Sequence, residues 1–228
     1  MPNRWRTELT PSQKFTPALG YRWLTPLYDT TIGLLTREKT WRRRLLSEIA
    51  PLPGQRLLDV GCGTGSLAVM LAQAQPMADI HALDPDPPVL ARARQMARAA
   101  AVRIFWHDGF LNDDFLETQA PFDTVTSSLV LHQVPLDGKK MMILAMKRAL
   151  APSGKLVIAD YGHQKTRAMR FAFRATVQAL DGVADTQPNA DNVLPDLLRS
   201  AGFGGIEEPV AFATPTGSIS IYAAHNEA

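Results

Sequence analysis

From residue 55 to residue 161, short runs of leucine and β-branched residues alternate with alanine-rich stretches of helical period. That order constrains the fold more than any other feature of the chain. Parallel strands cannot be joined by tight turns, and the helical crossovers they need cover both faces of the sheet. The pattern predicts strands over 56–60, 79–83, 102–107, 122–128 and 155–160, with helices over 67–75, 89–100 and 139–150. Pro87 and Pro88 suit the opening of the second helix, and Pro152 and Gly154 the close of the third. After residue 161 the pattern changes. Residues 167–180 and 194–201 read as helices, the latter with Pro195 in its first turn and Gly202 at its exit. Strand-like runs over 206–212 and 218–224, joined by "TPTG", read as an antiparallel pair at the sheet edge. Residues 1–50 hold Trp5, Trp23 and Trp41, are interrupted by Pro11, Pro17 and Pro26, and read as a helical arm or lid. A chain of 228 residues supports one large core. The expectation is a single α/β domain over 51–228, with 162–200 as a helical cover rather than a second domain.

The sharpest local signal is "LLDVGCGTGS", residues 57–66, an apolar strand running into glycines 61, 63 and 65. Glycine at a strand-to-helix turn removes the Cβ that would hold a ligand away from the backbone. A dinucleotide fingerprint, Gly-x-Gly-x-x-Gly, would need glycine where Ser66 stands, and a phosphate-cradling loop would need a lysine, of which there is none between Arg56 and Lys139. The loop therefore suits close backbone approach without phosphate chemistry. Asp84, nineteen positions beyond Gly65 and just before Pro85, stands where a carboxylate accepts both hydroxyls of a ribose. Asp108, in "WHDG", ends the third predicted strand and can accept from an adenine amine. Together they describe an adenosine held across three strand ends.

At these motifs the chain resembles the class I S-adenosylmethionine-dependent methyltransferases. The matching stretches are "LLDVGCGTG" (57–65), "ALD" (82–84), "HDG" (107–109), "FDTVTSSLVLHQV" (122–134) and "LAPSGKLVIAD" (150–160), in the family's order. The resemblance implies a Rossmann-like sheet of seven strands, mostly parallel, with the last antiparallel. It implies S-adenosyl-L-methionine as cofactor and S-adenosyl-L-homocysteine as product. Asp59, Gly61 and Gly63, with Cys62 between them, would line the methionine part of the cofactor; Asp84 and Pro85 the ribose; Asp108, Gly109 and Phe110 the adenine; Ser127 or Ser128 the end of the fourth strand. The stretch "YRWLTPLYDTTIG" (21–33) is similar to the segment before the core in ubiquinone- and menaquinone-biosynthesis methyltransferases, which implies that Tyr21 or Tyr28 closes over the methionine end. A small aromatic, quinone-like or amine-bearing lipid acceptor follows from the same likeness.

His132 and His163 fall just beyond the fourth and fifth predicted strands, where open α/β sheets put their chemistry. Each is a candidate base for a phenol or amine, and each is equally suited to packing or capping. Tyr161 is a candidate substrate contact. Arg167, Arg170 and Arg174 share one face of a predicted helix, where they suit an acidic substrate or a lipid headgroup, and "WRRR" (41–44) adds to that case. Methyl transfer discharges the sulfonium in an in-line displacement, so positioning in a dry pocket supplies much of the acceleration and no strong base is required.

The balance of 24 Lys and Arg against 22 Asp and Glu argues against a nucleic-acid footprint. Cys62 is the only cysteine, which excludes an intrachain disulfide, and no His, Asp and Glu spacing makes a metal site. No apolar stretch follows Arg4 and Arg6 and none reaches spanning length, so the expectation is a cytoplasmic protein with at most peripheral lipid contact. Two other readings stay open: a non-catalytic S-adenosylmethionine-binding partner protein and a nicotinamide-dependent oxidoreductase.

Overall fold

The computed structural model describes residues 38–227. Tyr21, Tyr28 and most of the expected arm lie outside the described residues. Seven strands form one sheet: β1 (Arg56–Val60), β2 (Asp79–Asp84), β3 (Phe105–Asp108), β4 (Phe122–Ser128), β5 (Leu150–Tyr161), β6 (Phe203–Thr214) and β7 (Gly217–Asn226). Their order is β3-β2-β1-β4-β5-β7-β6. The first five pair in parallel, and β7 lies antiparallel to both β5 and β6. The expected Rossmann-like architecture is thus observed. The chain builds outward from β1 to β3 and then returns to β4 on the other side of β1, so the loops leaving β1 and β4 diverge and open a crevice at their C-terminal ends.

The helices are α1 (Glu38–Ile49), α2 (Ser66–Ala74), α3 (Pro87–Ala99), α4 (Asp113–Gln119), α5 (Leu136–Ala149), α6 (Arg167–Ala175), α7 (Val177–Asp181), α8 (Val183–Ala190) and α9 (Val193–Ser200). They cover both faces of the sheet, because successive strand residues point to opposite sides. Leu57 and Val157 enter one core with Trp41, Leu45, Leu67, Leu71 and Phe173, while Leu58, Leu156 and Ile158 enter the other with Phe122, Ile143, Met146 and Tyr222. Burying each large apolar side chain contributes about 1.5–3 kcal/mol. Since α1 buries Trp41, Leu45 and Ile49 in the first of these cores, the last turns of the expected arm are part of the domain.

Several boundaries differ from the sequence pattern, each for a local reason. The third strand starts at Phe105 rather than residue 102, because Ala101 takes φ 54° and Val102 donates its N–H back to Ala97, so the chain is still leaving α3. A helix missed in the sequence, α4, is capped by Asn112, whose side chain accepts from the Phe115 N–H. The single helix expected over 167–180 breaks at Thr176, and α8 follows after Gly182 at φ 85°, carrying Pro188 inside it. Within the helix expected over 167–180, Phe173 and Val177 are buried but Leu180 is 58% exposed.

Candidate active site

The loop after β1 takes three left-handed residues in alternation, Gly61 (φ 71°), Gly63 (φ 54°) and Gly65 (φ 80°). They do different work. A Cβ on Gly65 would stand 2.7 Å from the Trp106 ring and 3.0 Å from Ala93, so this glycine lets α2 start close against β3 and α3; one on Gly61 would meet Val130 at 2.5 Å. A Cβ on Gly63 would meet nothing within 4 Å, and the same holds for Gly109 at the end of β3. Open space therefore begins at Gly63 and Gly109.

Three carboxylates, Asp59, Asp84 and Asp108, stand at or next to the C-terminal ends of the neighbouring strands β1, β2 and β3. Asp84 accepts the Gly63 N–H (2.9 Å) through one oxygen and the Asp86 N–H (3.0 Å) through the other, which fixes its plane and leaves each oxygen a further lone pair. Burial pushes its pKa up, against the two backbone donors that pull it down. Asp108 and Phe110 are exposed beside it, and Gly109 donates its N–H to the Asp84 carbonyl (3.2 Å). Pro85 leads into Asp86, the N-cap of α3.

Asp59 is the anomaly. It is 1% exposed, and neither carboxylate oxygen has a hydrogen-bond partner. Burial raises its pKa to about 7, with Asp84 adding to the rise and Arg42 opposing it. Arg42, from α1, donates to Glu38 and reaches the Ser128 hydroxyl at 3.4 Å, so the end of β4 is bridged to the N-terminal helix. Ser127 points inward, donating to the Val60 carbonyl (2.8 Å). Cys62 is buried, and burial pushes its thiol pKa up, away from any reactive thiolate.

The ends of β4 and β5 are organised differently. The chain leaves β4 through Leu129 at φ 56°, an uncommon conformation for a branched side chain, and enters a 3-10 turn over Leu131–Gln133. Asp160, the penultimate residue of β5, holds that turn: it accepts the N–H groups of Val130 (3.1 Å), Leu131 (2.7 Å) and His132 (3.4 Å), the Tyr161 N–H (2.7 Å), and His132 Nδ1 (2.8 Å). The far nitrogen of His132 lies 3.6 Å from Asp181 at the end of α7. Burial alone would depress the His132 pKa, but the charge and hydrogen bond of Asp160, helped by Asp181, raise it to about 9. With Nδ1 engaged by Asp160 and its pKa held up by that carboxylate, His132 is poorly placed to act as the base expected at that position. Lys139, fully buried in α5, donates to the carbonyls of Leu131 (2.7 Å) and Asp185 (2.7 Å), tying the same turn to α8; burial lowers its pKa to about 8.

Tyr161 is buried, with its hydroxyl 2.9 Å from that of Thr216 and its ring against His132 and Phe173. His163 is half-buried and makes no side-chain hydrogen bond among the described residues. Arg170 and Arg174 are exposed, and Arg170 Nε donates to the Gln164 carbonyl (3.0 Å). The structure thus sets Asp59, Gly63, Asp84, Asp108, Gly109 and Ser128 at neighbouring C-terminal strand ends, puts His132 and Tyr161 into packed surroundings, and leaves Arg170 and Arg174 exposed. Among the described residues no cluster could hold a metal ion, and no helix is long and apolar enough to cross a membrane.

Residues 57–154 match a family described as a methyltransferase domain. A demethylmenaquinone methyltransferase of Thermus thermophilus is 32% identical over 186 residues, covering 78% of this chain and 82% of that one. The chain belongs to the class I S-adenosylmethionine-dependent methyltransferases. A ubiquinone biosynthesis O-methyltransferase of Xylella fastidiosa is 29% identical over 156 residues, 68% of this chain and 60% of that one. The magnesium protoporphyrin IX methyltransferase of Synechocystis, solved with bound S-adenosylhomocysteine, shares the fold with a TM-score of 0.62 at 20% identity, over 88% of this chain and 86% of that one.

The methyltransferase uses S-adenosylmethionine, and the crevice fits that group chemically. Both the sulfonium and the α-ammonium of the cofactor are cationic, and among the described residues Asp59 is the one buried carboxylate with both oxygens unpartnered. The nicotinamide reading falls with the family assignment, as does the non-catalytic one. Arg42 was read in the sequence only as part of a basic patch, and its place beside Asp59 gave no separate signal. Asp160 was visible only as the end of a matching motif, and Lys139 as an ordinary helix lysine, a residue type seldom fully buried.

Proposed function

We propose that the methyltransferase alkylates a small aromatic, quinone-like acceptor that approaches over the ends of β4 and β5, beneath the segment formed by α6 to α8. The observation that carries this reading is the 32% identity, across most of both chains, to a relative named for demethylmenaquinone; the relative named for ubiquinone biosynthesis supports it. S-adenosylmethionine supplies an electrophilic methyl group on a sulfonium. Asp59 balances the cofactor's cationic end, Gly63 lets it approach the backbone while Gly61 packs on Val130 and Cys62 fills the loop between them, and Asp84 accepts the ribose hydroxyls, with Pro85 shaping the turn beside it. Asp108, Gly109 and Phe110 flank the adenine, and Ser128 stands at the mouth, with Ser127 behind it. His132, bonded to Asp160, orients the turn after β4, and His163 is the candidate base for an acceptor that needs one. The chain's part in the rate is positioning and exclusion of water.

A labelled-methyl transfer assay with a demethylated naphthoquinol, a benzoquinol, a catechol and a phosphorylated ethanolamine tests the acceptor. Preference for either quinol supports the reading; turnover of the phosphorylated amine with neither quinol used contradicts it.

A further inference from the structure

The outer face of the acceptor-side cover is unlike the rest of the surface. In α6 the inner positions, Met169, Ala172 and Phe173, pack inward, with Phe173 buried against Tyr161 and over Gly217. The opposite face carries, in order around the helix, Arg170, Arg174, Arg167, Phe171, Ala175 and Ala168, all exposed. Phe171 is 75% exposed, the most exposed large apolar side chain among the described residues. It sits four residues after Arg167 and three before Arg174, within reach of both along the helix. Further along, Leu180 and Val183 are 58% and 52% exposed on either side of Gly182. From residue 161 to residue 180 there are Lys165, Arg167, Arg170 and Arg174 and no acidic residue, in a chain whose total is only +2, so the remainder is net negative.

Exposing phenylalanine among arginines is costly in water and favourable at one kind of surface. A helix with cations on long aliphatic stems and an aromatic ring between them lies in the plane of a bilayer interface, ring inserted and guanidinium groups at the phosphates. Each such charge adds to the attraction of an anionic leaflet and is screened by salt. We infer that the exposed face of α6, with Leu180 and Val183 beside it in the chain, is a docking surface for an anionic lipid bilayer. The inner face of the same helix packs on Tyr161, so docking sets the acceptor side of the enzyme against the phase into which a lipophilic quinone partitions. That purpose rests on the acceptor reading; the docking itself does not.

Sedimentation of the full chain with vesicles of phosphatidylcholine alone, and of phosphatidylcholine mixed with phosphatidylglycerol, at low and high salt tests the surface. Binding to the anionic vesicles only, weakened by salt and reduced about fivefold or more by Arg167→Glu and again by Phe171→Ser, is expected. S-adenosylmethionine affinity and turnover of a water-soluble acceptor should be unchanged in both variants. Failure to bind anionic vesicles, equal binding to neutral ones, or variants that bind like the parent overturns the inference. Vesicle binding by a protein that turns over no quinol would overturn the acceptor reading and leave the docking surface standing.

Discussion

At the end of β1, Asp59 is buried with both carboxylate oxygens unpartnered, whereas near the end of β5 Asp160, equally buried, accepts four backbone N–H groups and the His132 imidazole. Both are acidic residues at C-terminal strand ends of the same sheet, yet they differ in everything that decides their use. A buried carboxylate without donors destabilises the fold and persists where a ligand completes it. A buried carboxylate with every lone pair engaged holds backbone in place. The cofactor half of the sheet edge is therefore left chemically incomplete, and the acceptor half is locked. The two half-open bonds of Asp84 belong with the first, and the Lys139 contacts to Leu131 and Asp185 with the second.

Replacing the locked carboxylate should have the largest effect on stability. Asp160→Asn leaves His132 buried without its counter-charge and should cost about 3–5 kcal/mol in a urea unfolding experiment, while cofactor affinity of the fraction that remains folded stays near that of the parent. A stable Asp160→Asn protein that had lost S-adenosylmethionine binding would reverse the two halves. Asp84→Ala should do the opposite, weakening the cofactor by about 3 kcal/mol, roughly a hundredfold, with little change in unfolding midpoint. Calorimetric titration reads that number directly; unchanged affinity would sink the ribose assignment.

The smallest effect is in the pH profile of stability, where two histidine environments pull in opposite directions. His132, with a pKa held at about 9, contributes stability that is complete below 6.5 and is lost as pH rises through 9. His81, 2.9 Å from His107 in the β2–β3 pair, has its pKa lowered to about 4 by burial, then by His107 and Arg56. Its contribution is complete above 6.5 and is lost as pH falls toward 4. Stability should therefore decline on both sides of the near-neutral range, and His132→Gln should flatten the alkaline limb while leaving the acid limb as it was. An alkaline limb unchanged in that variant would place the titrating group elsewhere.

The sequence carried the cofactor half well because its signals are local. Gly61, Gly63 and Gly65 announce a turn whose backbone conformation excludes other residues, and Asp84 and Asp108 stand at fixed offsets from strands with clear apolar patterns. The parallel order followed from the β-to-α alternation, and the antiparallel edge pair from the short "TPTG" connection. The acceptor half was less legible because its interactions join residues far apart in the chain. Asp160 and His132 are 28 positions apart, and Lys139 meets the Asp185 carbonyl across 46. Nothing in "SSLVLHQV" distinguishes a histidine that takes a proton from one engaged by Asp160. The break at Thr176 and the helix containing Pro188 were hidden for a similar reason, since tertiary packing there overrides the local pattern.

The most direct test of the difference between the halves is Asp59→Asn, measured at pH 8 for unfolding free energy without cofactor and for S-adenosylmethionine affinity by calorimetry. Removing an unpartnered buried charge should raise the stability of the free protein by about 1–3 kcal/mol, while weakening cofactor binding at least about tenfold. It should also abolish the loss of affinity expected of the parent as pH falls below about 7, where the raised pKa of Asp59 predicts proton uptake. A variant that is less stable than the parent and binds the cofactor as tightly would mean that Asp59 supports the fold and not the ligand.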